Sequence, residues 1–243
     1  MSVGIAFANQ KGGVGKTTTA VSVAAGAAAR GVSVLLIDAD PQANSTSALG
    51  ARPDRGGLYE VLVGGRTAAE AVVETETPGL SLLPASGDLA GAAVELVTQA
   101  AREHRLRLAL EGVRTGHELL LIDCPPSLGL LTVNGLVAAD QVVVPVQCEY
   151  LALEGLGQLA RTIELVRANL NPRLELLGVV LTMFDARTKL ARQVREEVRR
   201  HFDTTFETVI PRSVRLAEAP SHGQPIQMYD GRSPGARAYE SLV

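Results

Sequence analysis

Short, unbroken apolar runs alternate with longer stretches of helical periodicity along nearly the whole chain. Residues 4–8 read as a buried strand, followed by a glycine loop and a helix of small residues over 16–30. Gly31 stands where a left-handed residue usually ends a helix. Further strands are predicted at 32–37, 80–83, 119–122, 141–146, 176–183 and 208–210. Helices are predicted at 130–138, 153–169, 189–202 and 235–242, and a long one over 89–112 with a break near Gly91. Residues 51–78, rich in Gly, Arg, Thr and Glu, read as loops around one short helix. The β-branched run Val142-Val143-Val144 is what a strand covered on both faces looks like. Alternation of strands and helices predicts an α/β fold, a mostly parallel sheet flanked by helices on both faces with right-handed crossovers. With no internal repeat and no long linker, residues 1–243 are expected to form one domain.

Composition narrows the class without naming a function. The chain has 243 residues, 46 % of them hydrophobic and 3 % aromatic, with no Trp and a formal net charge of -3. That apolar share argues against disorder. The charge gives no global reason to bind nucleic acid, and scarce rings argue against base-stacking readers. Cys124 and Cys148 lack metal-ligand spacing and read as small buried hydrophobes. No apolar run approaches the roughly 20 residues a spanning helix needs, and the first residues do not resemble a signal peptide, so a cytoplasmic location is expected.

The chemistry concentrates in Asn9-Gln10-Lys11-Gly12-Gly13-Val14-Gly15-Lys16-Thr17-Thr18-Thr19, between a predicted strand and a predicted helix. Gly15-Lys16-Thr17 ends the phosphate-loop template G-x-x-x-x-G-K-[ST], but Gln10 stands where its first Gly belongs, and an extra lysine, Lys11, precedes the glycines. The cradle survives the change: Gly12, Gly13 and Gly15 let backbone N–H groups approach an anion, and the following helix adds its positive end. Lys16 suits β- and γ-phosphate oxygens, and the Thr17 hydroxyl suits Mg²⁺. A dinucleotide fingerprint fits poorly, because Thr18 occupies the place of its third glycine. The run Leu119-Leu120-Leu121-Ile122-Asp123 supplies a strand-ending carboxylate for the metal, directly or through water. Asp38 and Asp40 end the second strand; either one suits an attacking water, Asp38 is a further metal candidate, and a carboxylate ending an apolar strand is sometimes only a helix cap.

Lys11 to Thr17, Asp38-Ala-Asp40-Pro-Gln and Asp123-Cys-Pro-Pro-Ser together closely resemble the deviant Walker-A ATPases of the ParA/Soj and MinD group. The stretches 146–150, 182–188 and 209–223 are similar to its chromosomal ParA (Soj) branch, and the resemblance runs from Asn9 to Tyr239. It implies a P-loop fold and a bacterial, nucleoid-associated enzyme that hydrolyses ATP with Mg²⁺. It further implies a homodimer that sandwiches nucleotide, binds double-stranded DNA without sequence preference and is stimulated by a ParB partner. By resemblance, Lys11 reaches the other subunit's phosphates, while Lys16, Thr17 and Thr18 serve the phosphates and metal within the subunit, and Gly15 allows close subunit approach. Asp40 orients the hydrolytic water, Asp123 is the Walker-B carboxylate, and Pro211, Arg212 and Ser213 border the adenine. Two positions depart from the pattern: Ser213 stands where Asn is common, and Ala43 where Gly is common. Ala43 is expected to matter only if its backbone needs a positive φ.

Residues 187–200 hold Arg187, Lys189, Arg192, Arg195, Arg199 and Arg200 against Glu196 and Glu197, a basic stretch in an acidic chain. Such a run commonly marks a solvated helix face. Arg187 and Arg215 resemble family positions used for DNA, and few aromatics with no reading motif point to phosphate contacts rather than base readout. The alternatives are a MinD-like membrane-cycling ATPase of division-site placement, whose basic amphipathic C-terminal helix is not matched by residues 237–243, and a metabolic ATP-dependent ligase or reductase.

Overall fold

The computed structural model describes residues 2–52, 56–149 and 152–243, and short apolar runs form its centre. In chain order the elements are β1 (Val3–Phe7), α1 (Lys16–Ala29), β2 (Val34–Asp38), α2 (Asn44–Ala48), α3 (Leu58–Val63), α4 (Ala68–Ala71) and β3 (Val73–Glu74). There follow β4 (Leu80–Leu83), α5 (Leu89–Glu95), α6 (Arg105–Leu110), β5 (Leu119–Asp123), α7 (Leu130–Ala138), β6 (Gln141–Gln147) and α8 (Ala152–Asn169). The last are β7 (Glu175–Phe184), α9 (Lys189–His201), β8 (Thr205–Pro211), α10 (Val214–Glu218), α11 (Ile226–Asp230) and α12 (Pro234–Leu242).

Among the described residues the strands make one eight-stranded sheet in the order β3-β4-β2-β5-β1-β6-β7-β8. All neighbours are parallel except the short edge strand β3, which runs antiparallel to β4. Every residue of β2 is buried, as the unbroken apolar run predicts. Alternation then splits the core in two. Leu35 and Ile37 pack on one face with Leu58, Leu89 and Leu136, while Val34 and Leu36 pack on the other with Ala20, Ala24 and Tyr239. Burying each such aliphatic side chain contributes about 2 kcal/mol before chain entropy is counted. The small residues of α1 let that helix lie close to the sheet, with Ala20, Ala24 and Ala27 buried.

Apart from two stretches, the predicted elements are found with bounds shifted by at most three residues, and Gly31 has the expected positive φ of 84°. Two expectations need correction. The helix predicted over 89–112 is not broken near Gly91, which lies inside α5; the break comes later, through two 3-10 turns around Ala101, whose φ is 52°. Asn134 of α7 stitches the interruption, accepting from the Leu106 amide and donating to the Arg102 carbonyl. The stretch 51–78 holds two short helices and the strand β3 rather than one helix, and residues 53–55 lie outside the described ones. Tyr150, part of the 146–150 resemblance, also lies outside them.

Candidate nucleotide-binding site

Sheet order gathers the candidate residues at one edge. The glycine loop leaves the end of β1, which lies between β5 and β6. The chain runs from β1 to β2 on one side and carries β6 on the other, the switch point at which open α/β sheets bind ligands. Phe7 is in register with Asp123, and Asp123 with Asp38, so the carboxylates that end β5 and β2 sit side by side next to the loop.

Within the loop, Gly13 and Gly15 have φ of 72° and 84°, and Gly15 caps α1. A side chain at Gly15 would be strained by the positive φ, although its Cβ would meet Thr182 only at ordinary van der Waals distance. Two buried polar residues fix the loop from below. Asn9 accepts from the Lys11 amide and donates to the Pro145 carbonyl, and the Thr182 hydroxyl donates to the Val14 carbonyl at 2.7 Å. Sequence reasoning assigned neither residue a role, because each acts on a partner more than a hundred positions away.

The two lysines differ in setting. Lys16 is buried, and its ammonium donates to the Lys11 carbonyl at 3.2 Å. Burial lowers its pKa, opposed by the nearby Asp123 and Asp40 carboxylates. The Lys11 side chain is 40 % exposed and lies 3.8 Å from Glu149, which also meets Arg212 at 3.3 Å.

Asp123 is fully buried. Its Oδ2 accepts from the Thr17 hydroxyl at 2.7 Å and from the Ser45 hydroxyl at 2.8 Å, while its Oδ1 has no partner among the described residues. Burial and then the neighbouring Asp38 push its pKa up, and burial is the main cause of a raised Asp38 pKa as well. Asp38 is engaged by its own neighbours on both oxygens. Its Oδ2 accepts from the Thr46 amide and hydroxyl and its Oδ1 from the Asp40 amide, so it anchors α2 and the loop before it. Asp40 is buried at the wall of the phosphate cleft, and its Oδ1 accepts from the Gln42 amide.

Two cavities adjoin here. One, of about 400 Å³, is walled by Gly12, Gly13, Lys16, Thr17 and Asp40. The other, of about 340 Å³, is walled by Thr182, Ile210, Pro211, Arg212, Ser213 and Tyr239. Gly15, Thr18 and Met183 belong to both. The first offers backbone N–H groups and cations to phosphates; the second is mainly apolar and suits a base. An unpartnered buried carboxylate oxygen beside a hydroxyl, an ammonium and a glycine loop is the donor set that a hard divalent cation and a polyphosphate need. The residues present therefore fit Mg²⁺-nucleotide.

The candidate DNA residues lie elsewhere. β7 and β8 end in register at Phe184 and Pro211, and the Arg212 amide donates to the Phe184 carbonyl, so the segments carrying Arg187 and Arg215 leave the sheet side by side. The Arg187 side chain is 89 % exposed and pairs with Asp185; that of Arg215 is 56 % exposed and pairs with Glu218 and Asp230. On α9, Lys189 and Arg192 are exposed, whereas Arg195 stacks over the Phe184 ring at 5.2 Å and Arg199 donates to the Glu207 carbonyl. Cys124 and Cys148 are buried, and burial raises both thiol pKa values. No helix among the described residues is long and apolar enough to cross a membrane.

A family model described as an AAA domain matches residues 2–176. The chromosome partitioning protein ParA of Caulobacter vibrioides is 54 % identical, covering 98 % of this chain and 91 % of its own. The chromosome-partitioning ATPase Soj of Thermus thermophilus is 55 % identical, covering 98 % of this chain and 93 % of its own. Among solved structures, cobyrinic acid a,c-diamide synthase from Mycobacterium smegmatis, with bound ATP analog and magnesium, superposes with a TM-score of 0.88 at 42 % identity. That superposition covers 99 % of this chain and 92 % of that one. Similarity of this depth along almost the entire length has one reading: the chain belongs to the ParA/Soj family of chromosome-partitioning ATPases.

Proposed function

We propose that the chain is a nucleotide-switched DNA-partitioning ATPase, working as one domain over residues 1–243. It binds ATP with Mg²⁺, closes into a sandwich dimer that holds double-stranded DNA without sequence preference, and hydrolyses ATP slowly until a ParB-type partner stimulates it. Curated relatives named for chromosome partitioning support this reading over membrane cycling.

The residues take the following roles. Gly12, Gly13, Val14 and Gly15 present backbone N–H groups to the phosphates, and Lys16 adds the in-subunit cation. Thr18 borders both cavities, as an α-phosphate contact would. Pro211, Arg212 and Ser213 border the base. Thr17 and Asp123 hold the metal, Asp123 through a water. Held there, Mg²⁺ would supply charge neutralisation to the phosphates during transfer. Asp40, at the cleft wall, orients the attacking water. Arg187 and Arg215 contact DNA phosphates, with Lys189 and Arg192 beside them; Arg195 and Arg199 contribute less, being engaged within the subunit.

The observation that carries the dimer is the contrast between the lysines: Lys16 is buried against its own loop, whereas the Lys11 side chain is part-exposed and, among the described residues, meets Glu149 across a long ion pair. A second cation placed this way can offset charge on a phosphate donated across a dimer. Light scattering tests it. With ATP the wild-type mass should double, and Lys11→Ala should remain monomeric while still binding nucleotide. An unchanged ATP-dependent dimer in that variant would overturn the role of Lys11.

A further inference from the structure

Neighbouring hydroxyls at the start of α2 serve the two carboxylates that end β2 and β5. Ser45 donates to Asp123 Oδ2 at 2.8 Å, and Thr46 donates to Asp38 Oδ2 at 2.7 Å through its hydroxyl and 2.8 Å through its amide. The Thr46 hydroxyl in turn accepts from the Ala85 amide at 2.9 Å, so α2 is tied at its base to the chain beyond β4. Ser45, Thr46 and both aspartates are buried, which makes these bonds hard for water to replace.

Asp123 receives both of its donors on the same oxygen. One donor, Thr17, is itself a candidate metal ligand, so its hydroxyl must satisfy two demands at once. Ser45 has no such second task, being on α2 rather than in the loop. Its bond keeps Oδ2 engaged beside an Oδ1 that has no partner among the described residues.

We infer that Ser45 is a positioning residue for the metal: its hydroxyl orients Asp123 so that Oδ1 faces the Mg²⁺ hydration shell when nucleotide binds. The inference rests on the reading of Asp123 as the metal-holding carboxylate. Groups that orient metal ligands typically change metal affinity by about 10- to 100-fold when removed.

The test measures binding of a fluorescent ATP analogue to the full chain, once in EDTA and once across a Mg²⁺ titration. Ser45→Ala should raise the half-saturating Mg²⁺ concentration about 10-fold while leaving binding in EDTA within about twofold of wild type. Ser45→Thr, which keeps the hydroxyl, should restore the wild-type Mg²⁺ requirement. Should Ser45→Ala fail to fold, Ser45→Cys preserves the volume with a weak donor and should show the same raised requirement. An unchanged Mg²⁺ requirement, or an equal loss with and without Mg²⁺, would overturn the inference. Failure of the wild-type chain to bind the analogue in either condition would instead overturn the nucleotide reading beneath it.

Discussion

Ala43 shows how one side chain carries a cost that sequence spacing alone does not reveal. It caps α2 with φ 52° and ψ 37°, a left-handed conformation disfavoured for any residue with a Cβ by about 1–2 kcal/mol. The positive φ that would make this position matter is therefore present. Ala43→Gly should stabilise the chain by about 0.5–1 kcal/mol, the strain relieved less the extra freedom of glycine in the unfolded state. Urea unfolding would show it as a higher midpoint at unchanged slope; an unchanged or lower midpoint would contradict the account. The phosphate loop itself could be read directly, because Lys16, Thr17 and the glycines are contiguous and each residue type has a chemical reason. Ser45, Thr46, Asn9 and Thr182 could not. Each is a small polar residue whose partner is set by the fold, and nothing in a local window separates them from surface serines and threonines. Asp38 adds a related case: in sequence a strand-ending carboxylate looks the same whether it faces a metal or, as its bonds to Thr46 show here, anchors the next helix.

Strands and helices with a clear period were predicted well because one face or both are buried by the same sheet. β4 and α7 have the predicted bounds. The predicted helix over 89–112 failed where its periodic pattern met a tertiary contact, since Asn134 takes the Leu106 amide and the Arg102 carbonyl that a continuous helix would need. Charge on α9 also looked more uniform in sequence than it is in space. Arg195 and Arg199 are spent on Phe184 and the Glu207 carbonyl, whereas Arg187 and Arg215 stand out from neighbouring strand ends, each beside carboxylates of its own segment. A DNA phosphate must compete with those carboxylates, so contact by Arg215 depends on salt twice over. Arg215→Glu should weaken DNA binding at least about 10-fold at low salt and lower the slope of log affinity against log salt by about 1. Fluorescence anisotropy with duplexes of unrelated sequence would measure both; wild-type affinity in that variant would remove Arg215 from the interface.

The whole chain carries a formal charge of -3, which by itself gives no reason to expect a nucleic-acid partner. That average conceals the arginine-bearing segments after β7 and β8, and scarcity of aromatic residues suits contact with phosphates alone. Sheet order could not be read from the sequence, yet it decides the architecture: placing β1 between β5 and β6 brings the loop, Asp123 and the base cavity to one edge. The central claim is that nucleotide state controls DNA binding through a dimer. DNA affinity compared without nucleotide, with ADP and with ATP, across a range of salt, tests it most directly. The account predicts binding that is strong only with ATP and falls steeply as salt rises. Equal affinity in all three nucleotide states would contradict it.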